Sequence, residues 1–267
     1  MKNLINKLKR VIFLQVKYFL LLTNSKHIKQ ERVFVAGMQR SGTNMLMDIL
    51  EKSCETDVYH ERDSRAFDNY QMREEAVIRK LSNRSIAPKF VIKSLCELQN
   101  LESLMSSFQP AKTIWIVRDY NDVVASMLKS FGNMEKQVLR IFRDNGSEWL
   151  GQGMTDKTRS ELIELVEPGM GDKSASAMQW YFRNILFFDQ KFENNKQVLL
   201  ISYEELVNQP EIQVGKICDF IGIQFQPRMI KDIFSSSINR RKNPEIDPRV
   251  RVLCDELQLK FKKLLET

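Results

Sequence analysis

The segment best suited to hold a ligand is Gly37-Met-Gln-Arg-Ser-Gly-Thr-Asn44, set between an apolar run, Val33–Ala36, and a helical pattern, Thr43–Lys52. Glycine lets such a strand-to-helix turn curl until successive N–H groups face one point, and the helix N-terminus adds partial positive charge there. Ser41, Thr43 and Asn44 contribute side-chain donors and Arg40 a full charge, so the chemistry served is the binding of a phosphate-like anion. A nucleotide triphosphatase loop, GxxxxGK[ST], has the same glycine spacing. Here Thr43 occupies the lysine's place, and the cation, Arg40, comes two residues before the second glycine. A P-loop kinase or nucleotide triphosphatase is therefore the alternative reading, and it lacks its β- and γ-phosphate contact.

A second anion site is suggested further along. Thr113–Val117 is the clearest buried strand and runs into Arg118, and Ser126 stands about two turns' length of chain beyond it, in the helix from Asp122 to Ser130. Ligands of open α/β sheets bind beyond the carboxyl ends of the strands, where one guanidinium and one hydroxyl can converge on a phosphate. The competing reading pairs Arg118 with Asp119 or Asp122 and lets Ser126 merely pack. Lys93 ends the strand Phe90–Lys93, either as an electrostatic stabiliser near the same edge or as a snorkelling surface lysine. Asp57–Asp63 includes His60 and Glu61, which are proton acceptors if they face a site and a solvated loop otherwise.

These segments resemble the PAPS-dependent sulfotransferases (PAPS, 3′-phosphoadenosine 5′-phosphosulfate). The family's [K/R]-S-G-T loop after the first strand stands here as Arg40-Ser41-Gly42-Thr43-Asn44. Its strand-ending arginine with a serine eight residues later stands as Arg118 and Ser126, and a strand ending in Y-E-[D/E]-L stands as Val198 to Leu206 with Tyr203. The matches span about residues 33–225 in the family's order. The resemblance implies PAPS as co-substrate and a hydroxyl or amine acceptor, such as a glycan, with neither metal nor redox cofactor. It implies that the Arg40–Asn44 loop holds the 5′-phosphosulfate, that Arg118 and Ser126 hold the 3′-phosphate, and that Tyr203 belongs to the nucleotide site. Lys93 then lies close to the transferring group. Arg240 and Arg241 lie in a basic stretch similar to one that touches adenine and the 3′-phosphate, with a solvated loop as the equal alternative. One departure matters. Cytosolic members use a histidine two residues after that lysine, and here the position is Leu95. Tyrosylprotein and heparan-type members place a glutamate in the segment after the first helix, which makes Glu61 the candidate general base and His60 the second choice.

The elements that must position these residues alternate. Strands are expected at Val33–Ala36, Asp57–Tyr59, Phe90–Lys93, Thr113–Val117 and Val198–Ser202, with helices over Ala66–Leu81, Glu97–Phe108 and Ala175–Phe192. The fold class is α/β: a P-loop-like parallel sheet of about five strands with helices on both faces. Glycines punctuate residues 132–175, read as a helical insertion lidding the acceptor side of a domain spanning 31–267.

Residues 1–30 stand apart. The first 32 residues hold eight of the 41 basic residues and one of the 34 acidic ones, leaving 33 of each sign in the rest. A nucleic-acid-binding core is therefore not suggested. Leu4, Leu8, Val11, Ile12, Phe19 and Leu22 share one face of a basic amphipathic helix, too short in its apolar run to span a bilayer. Such a helix lies on an anionic membrane surface, or docks on the domain with its lysines in water. The expected location is cytoplasmic, on either account. The four cysteines are far apart with no CxxC, and read as free thiols rather than zinc ligands or disulfides.

Overall fold

The computed structural model describes residues 2–24, 30–144, 148–234 and 244–266. In chain order the elements are α1 (Lys2–Asn24), β1 (Glu31–Ala36), α2 (Thr43–Glu51), β2 (Thr56–Tyr59), β3 (Phe67–Asp68), β4 (Gln71–Met72), α3 (Glu75–Arg84), β5 (Lys89–Lys93), α4 (Leu101–Ser107) and β6 (Ala111–Val117). There follow α5 (Tyr120–Ser130), α6 (Met134–Arg143), α7 (Asp156–Ile163), α8 (Gly171–Asn184), α9 (Leu186–Asp189), β7 (Val198–Ser202), α10 (Tyr203–Asn208), α11 (Pro210–Ile221) and α12 (Pro248–Leu265).

Five strands form one parallel sheet in the order β2-β5-β1-β6-β7. Successive side chains of a strand point to opposite faces, so a strand buried on both must be apolar throughout. Val33–Ala36 meets that demand: Val33 and Val35 enter one core with α2, α10 and α11, while Phe34 and Ala36 enter the other with α4, α5, α8 and α12. Ile114 and Ile116 against Trp115 and Val117 repeat the division on β6. Helix α8 packs against α5, α6 and α12, so Ser174–Asn184 is buried all round instead of along a stripe.

The topology creates a crevice. From β1 the chain leaves through α2 towards β5 and β2; from β6 it leaves through the opposite helical layer towards β7. Neighbouring strands whose connections depart to opposite sides mark the switch point where ligands bind. Here that point lies between β1 and β6, paired up to Ala36 opposite Trp115.

Two expected helices need correction. Helix was expected over Ala66–Leu81, but Phe67–Met72 is a tight antiparallel hairpin and α3 starts at Glu75. Its two turn residues, Asn69 and Tyr70, have φ of 46° and 67°, the left-handed pair of a two-residue hairpin. The apolar Phe67 thus belongs to a strand, and Ala66 to the turn before it. The helix expected over Ala175–Phe192 ends at Asn184 and continues only as the short α9. All four cysteines are free thiols.

Helix α1 is fastened to the rest of the molecule by its cations. Arg10 donates from Nε and Nη2 to both carboxylate oxygens of Glu51, each at 2.6 Å. Lys17 is buried and donates from Nζ to the Glu51 carbonyl (2.8 Å) and to Thr56 Oγ1 (3.0 Å). The docked-helix alternative placed the lysines in water. The structure buries Lys17 instead, while Arg10 stays about half exposed.

Candidate active site

All five strand tips contribute to one row of residues. Lys93 ends β5, Gly37 follows β1, Arg118 follows β6 and Tyr203 follows β7, while Glu61 lies two residues beyond the end of β2.

The loop after β1 demands its glycines. Gly37 has φ +143°, and a Cβ there would lie 2.5 Å from the Ile116 carbonyl oxygen. Gly42 has φ +100°, and its Cβ would lie 2.4 Å from Cδ2 of Tyr203. Both values lie in the left-handed region, which glycine alone enters without strain. No side chain caps the N-terminus of α2, and the buried Ser41 hydroxyl has no hydrogen-bond partner among the described residues. Uncapped helix donors beside an orphaned buried hydroxyl are what a bound anion would satisfy. Thr43 is buried in the place of the triphosphatase lysine, and Asn44 accepts from Lys93 Nζ at 2.7 Å.

The second anion site adjoins the first. Arg118 Nη1 donates to the carbonyl oxygen of Arg40 at 3.2 Å, and Arg40 Nε donates to Ser126 Oγ at 2.9 Å. Arg118 also faces Asp122 at 3.7 Å, the pairing weighed as its competing role, yet its guanidinium still lies against the loop. It stacks 4.3 Å from the ring centroid of Tyr203. Tyr203 therefore forms one wall shared by Gly42 and Arg118. Its adjacent Glu204 accepts from the Asp119 N–H at 3.0 Å, tying β7's tip to that of β6.

The acid–base residues lie on the other side of the loop. Lys93 is only 1% exposed and is no snorkelling lysine; its Nζ donates to Glu61 Oε2 at 2.5 Å. Burial pushes the Lys93 ammonium's pKa down, against the opposing pull of Glu61. His60 lines the same cavity but engages α2, with Nε2 3.2 Å from Glu51 Oε1 and Nδ1 4.0 Å from Asp48 Oδ1. Glu61 and Asn44 line a cavity of about 1060 Å³ bounded also by α1 and β2. A second cavity, about 960 Å³, lies between Gln39 of the loop and residues 130–152.

Arg240 and Arg241 lie outside the described residues. One group escaped the sequence reading. Glu97 accepts from the Met72 N–H at 2.6 Å, and burial pushes its carboxyl up to about 7. Arg183, fully buried, donates to the carbonyls of Leu95, Trp149 and Leu150, so it fixes the insertion to the tip of β5. Its helical face was visible in the sequence; its carbonyl partners, far away in the chain, were not.

Fold and geometry together define a parallel α/β protein whose β1 loop and Arg118 corner, both suited to anions, adjoin at a topological switch point. The sulfotransferase domain model matches residues 30–246, and the chain belongs to that family of sulfuryl-transferring enzymes. Membership decides against the kinase or triphosphatase alternative. No curated protein sequence matches the chain. Among solved structures, the sulfotransferase domain from the curacin biosynthetic pathway is similar at 15% identity and TM-score 0.57, covering 87% of this chain and 99% of that one. The sulfotransferase domain from the Synechococcus PCC 7002 olefin synthase is similar at 17% identity and TM-score 0.50, covering 91% and 96%. At these identities the likeness is one of fold.

Proposed function

We propose that the chain moves the sulfuryl group of PAPS to a hydroxyl or amine acceptor by in-line transfer, with Glu61 as general base. The observation that supports this most is the row of strand tips: two adjoining anion corners, with a carboxylate–lysine pair one strand away from the loop. The 5′-phosphosulfate fits the loop of Arg40, Ser41, Gly42, Thr43 and Asn44, where the orphaned Ser41 hydroxyl and the uncapped N–H groups lie. Arg118 and Ser126 suit the 3′-phosphate, with Tyr203 holding the Arg118 plane. Arg240 and Arg241 remain part of this proposal as nucleotide contacts, as does residues 132–175 forming the lid.

The acceptor oxygen forms a bond to sulfur while the bond between sulfur and the bridging oxygen breaks. That electron pair stays on the 5′-phosphate of the leaving PAP (3′-phosphoadenosine 5′-phosphate), and the acceptor's proton passes to Glu61. Arg40 and the loop N–H groups neutralise charge growing on the leaving phosphate. Lys93, bound to both Asn44 and Glu61, holds the base beside the loop and adds positive charge there.

Glu61→Gln tests this reading. It removes the proton acceptor and keeps the shape, so kcat falls about 10²- to 10⁴-fold while PAP affinity is retained. Transfer from radiolabelled PAPS gives the rate and calorimetry with PAP gives the affinity. Unchanged turnover reassigns the base.

A further inference from the structure

Helix α1 lies outside the matched domain and leaves a large part of its apolar surface in water. A surface helix ordinarily turns apolar residues inward and charges outward. In α1 Lys17 is buried on Thr56 and the 56% exposed Arg10 is tied to Glu51, beside the half-buried Phe13, Leu14 and Leu21, while Leu8, Val11, Ile12, Val16, Phe19 and Leu22 are each 50–64% exposed. The anchors stop the helix from rolling to hide that face. So large an apolar strip, interrupted only by Gln15, marks a binding surface.

Charge selects the occupant. Residues 1–32 carry eight basic residues and one acidic, whereas the rest of the chain is balanced. A second copy seated on α1 would bring two such arms together, at a repulsive cost. An anionic bilayer gains from the same charge, and the buried apolar strip supplies the second attraction that lasting surface binding requires. No helix among the described residues is long and apolar enough to cross a membrane, so α1 lies on the surface.

The placement also bears on the reaction. Leu14, Lys17, Tyr18 and Leu21 of α1 line the cavity that holds Glu61 and Asn44. Tyr18 is itself 58% exposed, so the cavity's rim continues into the apolar strip. We infer that α1 lies flat on an anionic bilayer and that the acceptor is a membrane-borne amphiphile, whose hydroxyl or amine enters beneath α1 to reach Glu61. The second half of this inference rests on the proposed sulfuryl transfer; the first does not.

The test is flotation of the full chain with phosphatidylcholine vesicles, with and without phosphatidylglycerol, at about 0.1 M salt, where charge attraction still reaches about 10 Å. Binding is expected to the phosphatidylglycerol vesicles and to weaken at least about tenfold in an Ile12→Glu, Phe19→Glu double variant that keeps its PAP affinity. Failure of the wild type to float, or a dimer in sedimentation that the variant splits, overturns the docking. Radiolabelled PAPS is then supplied to membranes and soluble extract of the cells that make the protein. Label is expected in the lipid extract, reduced in the double variant. Label confined to water-soluble acceptors, equal for both proteins, overturns the acceptor class. Absence of label from every fraction sinks the proposed function instead, and flotation still judges the docking alone.

Discussion

Replacing Gly42 by alanine strikes both anion corners at once, because the added methyl has only one place to go. Its Cβ would meet Tyr203 at 2.4 Å (Cδ2) and 2.8 Å (Cε2), and the backbone would have to hold φ +100°. A left-handed backbone costs an L-residue about 1–2 kcal/mol, and forcing a methyl into packed surroundings about 1–3 kcal/mol more. The expected loss is about 2–5 kcal/mol, which for a chain of this size lowers Tm by about 5–15 °C. Tyr203 can yield only by moving off the Arg118 guanidinium, stacked 4.3 Å above it, so PAP affinity falls at least about tenfold. The assay is a double-mutant cycle with Tyr203→Leu, read by thermal unfolding and by PAP calorimetry. Removing the ring relieves the clash but not the backbone strain, so the double variant recovers about 1–3 kcal/mol of the stability lost. It recovers none of the PAP affinity. Strictly additive stabilities, or full PAP affinity in Gly42→Ala alone, would refute the shared wall.

Other variants separate stability from binding. Ser41→Ala removes a buried hydroxyl without a protein partner, so Tm holds or rises, while PAP affinity drops about tenfold through loss of a charge-assisted hydrogen bond. Glu97 has its carboxyl raised from 4.5 to about 7 by burial; the unfolded chain ionises first, so stability falls as pH rises from about 4.5 to 7. Glu97→Gln abolishes that slope, and its stability advantage, read in urea titrations, grows across the window to an end value on the order of 3 kcal/mol above pH 7. At Glu51, burial raises the carboxyl, but hydrogen bonds from Arg10 and His60 outweigh it and hold it at about 2. Its contribution is therefore full above pH 4.5 and lost as pH falls through about 2. Arg10→Met moves the acid unfolding midpoint upward, by an amount equivalent to about 1–2 kcal/mol in urea titrations at pH 3–4.

The sheet was legible because its physics is local. A strand covered on both faces must be a short apolar run, and Val33–Ala36 and Thr113–Val117 meet that rule without help from the rest of the chain. The hairpin at Phe67–Met72 was not legible, since its apolar Ala66, Phe67 and Met72 also fit a helical stripe. The distinguishing signal was the Asn69-Tyr70 turn, in which tyrosine is a poor herald of positive φ. Helix α1 was visible in the sequence as an amphipathic element. Its orientation depended on Glu51 and Thr56, partners 41 and 39 residues away, which no pattern within α1 reveals.

At the site, residue types were readable and couplings were not. Arg40 and Ser126 could be assigned to separate phosphates from their motifs, yet 86 residues apart in sequence they share a hydrogen bond. Tyr203 came from the weakest of the three motif matches, and the structure makes it the wall between the other two. The reason is topological. At a switch point, strands that are neighbours in space are separated in sequence by whole crossovers, so each motif records what one tip carries and nothing of what faces it. The His60–Glu61 choice shows the same limit: adjacent residues on one loop, they differ in partner, one meeting Glu51 on α2 and the other Lys93 on β5. A carboxylate beside a buried lysine and the anion loop is placed to take a proton from an incoming nucleophile. An imidazole engaged with Glu51 is placed instead to help fasten the end of α2 that α1 also grips.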